Sequence, residues 1–232
     1  MNRIPQLLLN NQPGSILSPC LRRARLHSWQ RQRVLSLLDK SGSMNEENKL
    51  QSALKANYEL GLTLAQPNNQ NAFEMAVIWY SNIARVSHPF APVSSFLNRF
   101  DNSFDDGFTG ETNITSALEQ AHQILKAQRP TSEKHVYARP VCVLMSDGRH
   151  NCGPDPFPAA NALKEISDLI TIAFGDCADE QTLRAIATTE QLCVRCRTGA
   201  DLRCYFAQVG QTLTVTRAAG SNAVLALATL SS

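Results

Sequence analysis

Residues 34–44 read Val34-Leu35-Ser36-Leu37-Leu38-Asp39-Lys40-Ser41-Gly42-Ser43-Met44. The first five form an apolar run of the length expected for a buried strand, and the rest a polar, glycine-containing turn. Asp39 stands where the strand gives way to the turn. Similar apolar runs recur at 75–80, 141–145, 169–174 and 192–197. Helical spacing fills the intervals. Over about 46–65, Leu50, Leu54, Tyr58, Leu62 and Ala65 share one face, with Glu46 and Glu47 in the first turn where the helix dipole favours them. Ile114, Ala117, Leu118, Ala121 and Leu125 mark a second helix, and further helices are predicted at 93–100, 157–167, 179–188 and over Leu202, Phe206, Val209 and Leu213. Strands alternating with helices in this way predict an α/β fold: a doubly wound, mainly parallel sheet with helices on both faces. Residues 83–87, closed by Pro89 and Pro92, read as one short antiparallel edge strand.

The chain has 232 residues, of which 43% are hydrophobic and 18% charged, with a net charge of +2. This excludes a charge-driven disordered chain and argues against a protein that coats nucleic acid. The charge is unevenly placed. Residues 1–33 hold Arg3, Arg22, Arg23, Arg25, Arg31 and Arg33 and no acidic residue, so +2 less +6 leaves −4 for the remainder. Residues 1–32 are accordingly expected to be a basic flexible arm with a short helix over 21–32, 33–215 the folded domain, and 216–232 a weakly patterned tail. An Arg-rich, acid-free arm also fits an organellar transit peptide or an arm that binds a partner or lipid. The leucines at 7–9 are followed at once by Asn10-Asn11-Gln12-Pro13, too short a stretch for a secretory signal. No apolar stretch is long enough to span a membrane as a helix. The seven cysteines are odd in number and show no disulfide framework, so a reducing compartment, the cytoplasm, is expected.

In a doubly wound sheet, ligands bind beyond the carboxyl ends of the strands. Three oxygen-rich loops fall at that edge: Asp39 to Ser43, Thr109 to Thr112, and Ser146-Asp147-Gly148. Two carboxylates and several hydroxyls, with no Cys or His required, form a donor set for a hard cation such as Mg²⁺ or Mn²⁺ rather than zinc. Asp39, Ser41 and Ser43 alternate along the turn and can present their oxygens to one side, with Gly42 allowing a tight bend. Thr112 is expected at or near a helix N-cap.

These residues carry a resemblance. Asp39-Lys40-Ser41-Gly42-Ser43 is a D-x-S-x-S motif, followed in order by Thr112 within TGETNITSAL and Asp147 within VLMSDG. The ordered triple resembles the von Willebrand factor A-type domain family, over about residues 33–215. The resemblance implies a Rossmann-like fold and a metal-ion-dependent adhesion site. In such a site Ser41, Ser43 and Thr112 ligate the ion through hydroxyls, and Asp39 and Asp147 hold it directly or through water. A partner's Asp or Glu fills the open position. It implies a binding module rather than an enzyme; intracellular relatives work with AAA+ ATPases, kinases or phosphatases, or in stress-response systems. Glu111, before the threonine, is a charge that the family does not require; it either points to solvent or makes the site less receptive to an acidic partner. Arg149 and His150 follow on the same rim, as contacts for an anionic partner or as a solvated loop.

Other readings are weaker. Cys193 and Cys196, with Cys204, suggest zinc only faintly, because residues three apart on a strand face opposite ways. Cys152 and Cys177, with His150, form a second faint metal or redox candidate. A metal-dependent phosphohydrolase would use the same carboxylates but needs a base, for which Lys40 and His150 are the candidates. A scaffold binding nucleic acid or acidic lipid through the basic arm is the third class; a salt-sensitive interaction lost with the arm would identify it. Deletion of residues 1–32 is expected to leave the melting temperature nearly unchanged, and a large fall would mean that the arm packs on the sheet.

Overall fold

The structure, a computed structural model, describes residues 31–69, 72–100, 110–127, 137–219 and 221–231. The arm to residue 30, Thr109 and the rest of the 101–109 loop lie outside these.

Six strands form one sheet: β1 (Gln32–Asp39), β2 (Phe73–Tyr80), β3 (Ala84–Pro92), β4 (Val141–Ser146), β5 (Asp168–Phe174) and β6 (Cys193–Cys196), in the order β3-β2-β1-β4-β5-β6. All neighbours are parallel except β2 and β3. β1 is central because it is apolar on both sides; Val34, Leu35, Leu37 and Leu38 are fully buried. The chain leaves β1 toward β2 on one side and later returns to β4 on the other. Strand order therefore reverses between β1 and β4, which makes their carboxyl ends the topological switch point.

The strand begins at Gln32, inside the segment expected as arm. The Gln32 N–H donates to Ala72 O at 2.8 Å and its side-chain amide to Arg139 O at 3.1 Å. Arg31 bridges to Tyr137 and reaches Glu74. A deletion through residue 32 thus removes bonded residues of the sheet. β3 is longer than expected. Pro89 does not end it, because β3 is an edge strand and Pro89 falls in a bulge, where Met75 pairs with Ala91 and Val77 with His88.

Helix α1 (Lys49–Leu64) follows a 3-10 turn over Gly42–Asn48. Glu46 and Glu47 belong to that turn and not to the first turn of α1. The buried face of α1 also differs from the expected stripe. Ala53, Ala56, Asn57, Leu60, Gly61 and Leu64 are buried, while Tyr58 and Leu62 are 40% and 48% exposed. The reason is a second neighbour. Helix α6 (Gly199–Ala219) packs along α1, so α1 is covered by the sheet on one side and by α6 on another. Helix α2 (Val93–Arg99) adjoins α1. Helices α3 (Ile114–Ala127), α4 (Pro156–Ile166) and α5 (Glu180–Ile186) pack in series on the opposite face. The expected tail is also ordered: α6 runs to Ala219, and α7 (Ala223–Ala228) buries Leu227 after an Asn222 cap.

The α1–α6 contact depends on Gly210. A Cβ there would lie 2.9 Å from Thr63 Cβ and Cγ2 and 3.3 Å from a Leu60 methyl. Gly210→Ala would gain about 1 kcal/mol of helix propensity. The collision with Thr63 is expected to outweigh it at roughly 1–3 kcal/mol. A net fall of a few degrees in melting temperature should follow, and a rise would show that the two helices part without strain.

Candidate functional site

At the carboxyl end of β1, the Asp39 carboxylate is fully buried. Its Oδ1 accepts from the Ser41 N–H at 2.8 Å, which closes the turn, and its Oδ2 accepts from Ser146 Oγ at 2.6 Å, at the end of β4. Ser41 is extended (φ −66°, ψ 170°), so its hydroxyl meets Ser43 Oγ at 3.1 Å. Ser43 Oγ then donates to Asp147 Oδ1 at 2.7 Å. Asp39, Ser41, Ser43 and Asp147 thereby form one chain of oxygens across the β1–β4 junction. Gly42 does not supply its bend through a left-handed backbone, and a Cβ there would meet only Gly110 O at 3.9 Å. The left-handed residues of this stretch are instead Glu47 (φ 52°) and Asn48 (φ 57°).

Thr112 completes the set from across the gap. The point where a Gly148 Cβ would stand is 3.4 Å from Thr112 Oγ1 and 3.6 Å from Ser43 Oγ, so the two hydroxyls converge there. Thr112 is not the cap of α3. That role falls to Asn113, whose Oδ1 accepts from the Ser116 N–H at 2.9 Å.

The loop after β4 fixes Thr112. Asn151 Oδ1 accepts from the Thr112 N–H at 2.8 Å, and the Asn151 N–H donates to Thr112 O at 3.1 Å. His150 Nδ1 accepts from the Ile114 N–H at 3.2 Å. Nδ1 is therefore unprotonated, and Nε2–H donates to Pro154 O at 2.9 Å. His150 is thus a brace between α3 and the loop, whereas Arg149 and Glu111 are exposed. Gly153 sits at φ +87°, with Asn113 side-chain atoms 2.6 Å from where its Cβ would be. Asp147 and Thr112 are consequently held by one interlocked loop.

Lys49, the first residue of α1, was not anticipated. Its Nζ lies 2.9 Å from Asp147 Oδ2. Burial works against the Lys49 ammonium, but the hydrogen bond and charge of Asp147, with Glu47 and Glu46 beyond, outweigh it and hold the pKa above the ordinary lysine value. Ser146 and Asn151 were also missed as positioning residues. Among the described residues, no three His, Cys, Asp or Glu side chains group as a metal site, so neither cysteine candidate is assembled.

The donor set fits a hard divalent cation. Three hydroxyls converge beside two buried carboxylates, and Asp39 is held by neutral donors, a Ser41 N–H and a Ser146 hydroxyl. Burial pushes the Asp39 carboxyl up to about 6, a penalty on the anion that a cation would relieve.

The chain belongs to the von Willebrand factor type A domain family, whose family model matches residues 34–203. Comparison with the curated proteins gives no match. Solved structures share the fold. Proximal thread matrix protein 1 from the mussel byssus is 19% identical, with a TM-score of 0.66 over 82% of this chain and 48% of that one. In another structure of that mussel protein the MIDAS motif is occupied by zinc. A von Willebrand factor type A protein from Catenulispora acidiphila is 19% identical, with a TM-score of 0.62 over 80% of this chain and 43% of that one. The chain thus spans about half the length of these two proteins. BatB from Bacteroides thetaiotaomicron, 16% identical with a TM-score of 0.61, is covered completely by 82% of this chain.

A folded carboxyl at about 6, against an ordinary 3.8, means that the metal-free fold holds the Asp39 proton more tightly than the unfolded chain. The stability from this group is fully present below 3.8 and is lost as pH rises through about 6. The loss amounts to roughly 3 kcal/mol. Asp39→Asn is expected to flatten the pH dependence of urea stability over this window in metal-free buffer. An unchanged slope would show that other carboxyls carry it.

Proposed function

We propose that this chain is a metal-dependent protein-binding module. Ser41, Ser43 and Thr112 would hold Mg²⁺ or Mn²⁺ through hydroxyls, and Asp39 and Asp147 directly or through water. The ion, when bound, supplies an open coordination position that attracts a carboxylate, so the partner brings an Asp or Glu. The reading rests on one observation above all: the chain of oxygens from Asp39 through Ser41 and Ser43 to Asp147, with Thr112 converging opposite. The chain's own residues prepare this surface. Ser146 and the Ser41 N–H orient Asp39, Asn151 and His150 brace the Thr112 segment, and the 3-10 turn keeps both serine hydroxyls on one side.

A hydrolytic role finds less support. His150 is committed at both ring nitrogens, and Lys40 is buried. We place the protein in the cytoplasm, which the free thiols of Cys142, Cys152, Cys177, Cys193, Cys196 and Cys204 support. Among the described residues no helix is long and apolar enough to cross a membrane. An AAA+ ATPase, kinase or phosphatase assembly is the kind of partner that suits such a module.

Calorimetry with Mn²⁺ tests the site. Asp39→Ala is expected to abolish binding, and Thr112→Ala to weaken it while the far-ultraviolet spectrum stays unchanged. A captured partner should be released by chelator more readily than by high salt, because a shielded metal–carboxylate bond is screened less than surface charges. Equal Mn²⁺ affinity in wild type and Asp39→Ala would overturn the reading.

A further inference from the structure

We propose that Lys49 is a tethered counter-cation of this site: its ammonium weakens the hold on a divalent ion so that firm binding requires a carboxylate from outside. The inference rests on the metal-site reading above and adds a regulating residue to it.

Asp147 is fully buried and both of its oxygens are engaged. Oδ1 accepts from Ser43, on the side of the converging hydroxyls, and Oδ2 accepts from Lys49 Nζ at 2.9 Å. The ammonium therefore approaches Asp147 through the oxygen that Ser43 does not use, and can stay there while the hydroxyls turn to an ion. It is built in from both sides. The Lys49 side chain is only 10% exposed, and a Cβ on Gly175 would lie 3.5 Å from Lys49 Cε and 3.8 Å from Nζ. Gly175, after β5, stands at φ +80°, which disfavours any side chain there, and its backbone lies in ordinary contact range of the amine.

The backbone that delivers Lys49 is strained. Glu47 and Asn48 are consecutive non-glycine residues in the left-handed region, at φ 52° and 57°. Such residues persist where the surroundings over-determine them, and they cluster at working sites. Here they break the 3-10 turn from α1, so that α1 begins with Lys49 beside Asp147.

The charge arithmetic gives the consequence. Asp39 and Asp147 together carry −2, and the ion-paired Lys49 returns +1, so these three groups present −1 to a dication. Glu46 and Glu47 are exposed and screened by water, so they offset little of this. One outside carboxylate brings the sum to −2 and balances the ion. At short range in a partly buried site, such a difference is large against thermal energy.

The test uses the full chain, with Mn²⁺ as the metal and acetate as the outside carboxylate. Mn²⁺ affinity by calorimetry, and the Mn²⁺-induced rise in melting temperature, would be compared for wild type, Lys49→Gln, Lys49→Arg and Asp39→Ala. Lys49→Gln keeps a hydrogen-bond donor and removes the charge. It should bind Mn²⁺ on the order of tenfold more tightly than wild type and lose most of the gain from acetate. Lys49→Arg should behave as wild type. If Lys49→Gln is too unstable for calorimetry, a larger Mn²⁺-induced melting shift than in wild type supports the proposal, and an equal or smaller shift overturns it. Unchanged or weaker Mn²⁺ binding by a folded Lys49→Gln also overturns it, leaving Lys49 only as a structural partner of Asp147. Failure of the metal-site reading would show separately, as an undiminished Mn²⁺ response in Asp39→Ala.

Discussion

Two carboxylates held out of water at the ends of adjacent parallel strands are the constraint on which the rest of the site depends. A buried carboxylate is costly unless donors or cations surround it. Asp39 is met by the Ser41 N–H and the Ser146 hydroxyl, and Asp147 by the Ser43 hydroxyl and the Lys49 ammonium. These four donors come from three segments: Ser41 and Ser43 from the turn after β1, Ser146 from the end of β4 and Lys49 from the start of α1. Satisfying two acids thus ties together the segments that the topology brings to the switch point.

The second half of the site is held by different means. Thr112 lies outside the strands, and its position is fixed by one bond to the Asn151 side chain, one from the Asn151 N–H, and the His150 brace at the start of α3. The loop that supplies these contacts begins at Asp147 itself. A shift of either Asp147 or Thr112 is therefore transmitted to the other within a few residues, without passing through the hydrophobic core.

Much of this was legible in the sequence because the signals are strong and local. Apolar runs ending in Asp39-Lys40-Ser41 and Ser146-Asp147 mark both the strands and their carboxyl ends at the switch point. The ordered Asp39, Ser41, Ser43, Thr112 and Asp147 are brought to one place, as the motif suggested. What was not legible depends on packing. The inner face of α1 escaped because Ala53, Ala56 and Gly61 are small and weigh little in a hydrophobic stripe, yet all three are buried, Gly61 against Phe96 and Leu97 of α2. Lys49 carries no signal within the helix expected over about 46–65, because only the break at Glu47 and Asn48 brings it to Asp147. The capping role of Asn113 was hidden by its neighbour Thr112, which has the same hydrogen-bonding capacity. Pro89 read as a stop because sequence alone does not show the bulge that accommodates it in this edge strand.

That bulged edge has a consequence for how the domain behaves in company. β3 brings no N–H at Pro89 or Pro92, and its ladder with β2 is interrupted. At the other margin β6 is only four residues long. A foreign strand arriving at either margin finds a broken row of donors and acceptors. Copies of this domain can therefore be crowded side by side, in a longer chain or an array, without their sheets zipping into one another. What the sheet itself leaves open is its carboxyl end, which offers a few directed polar groups rather than a continuous ladder.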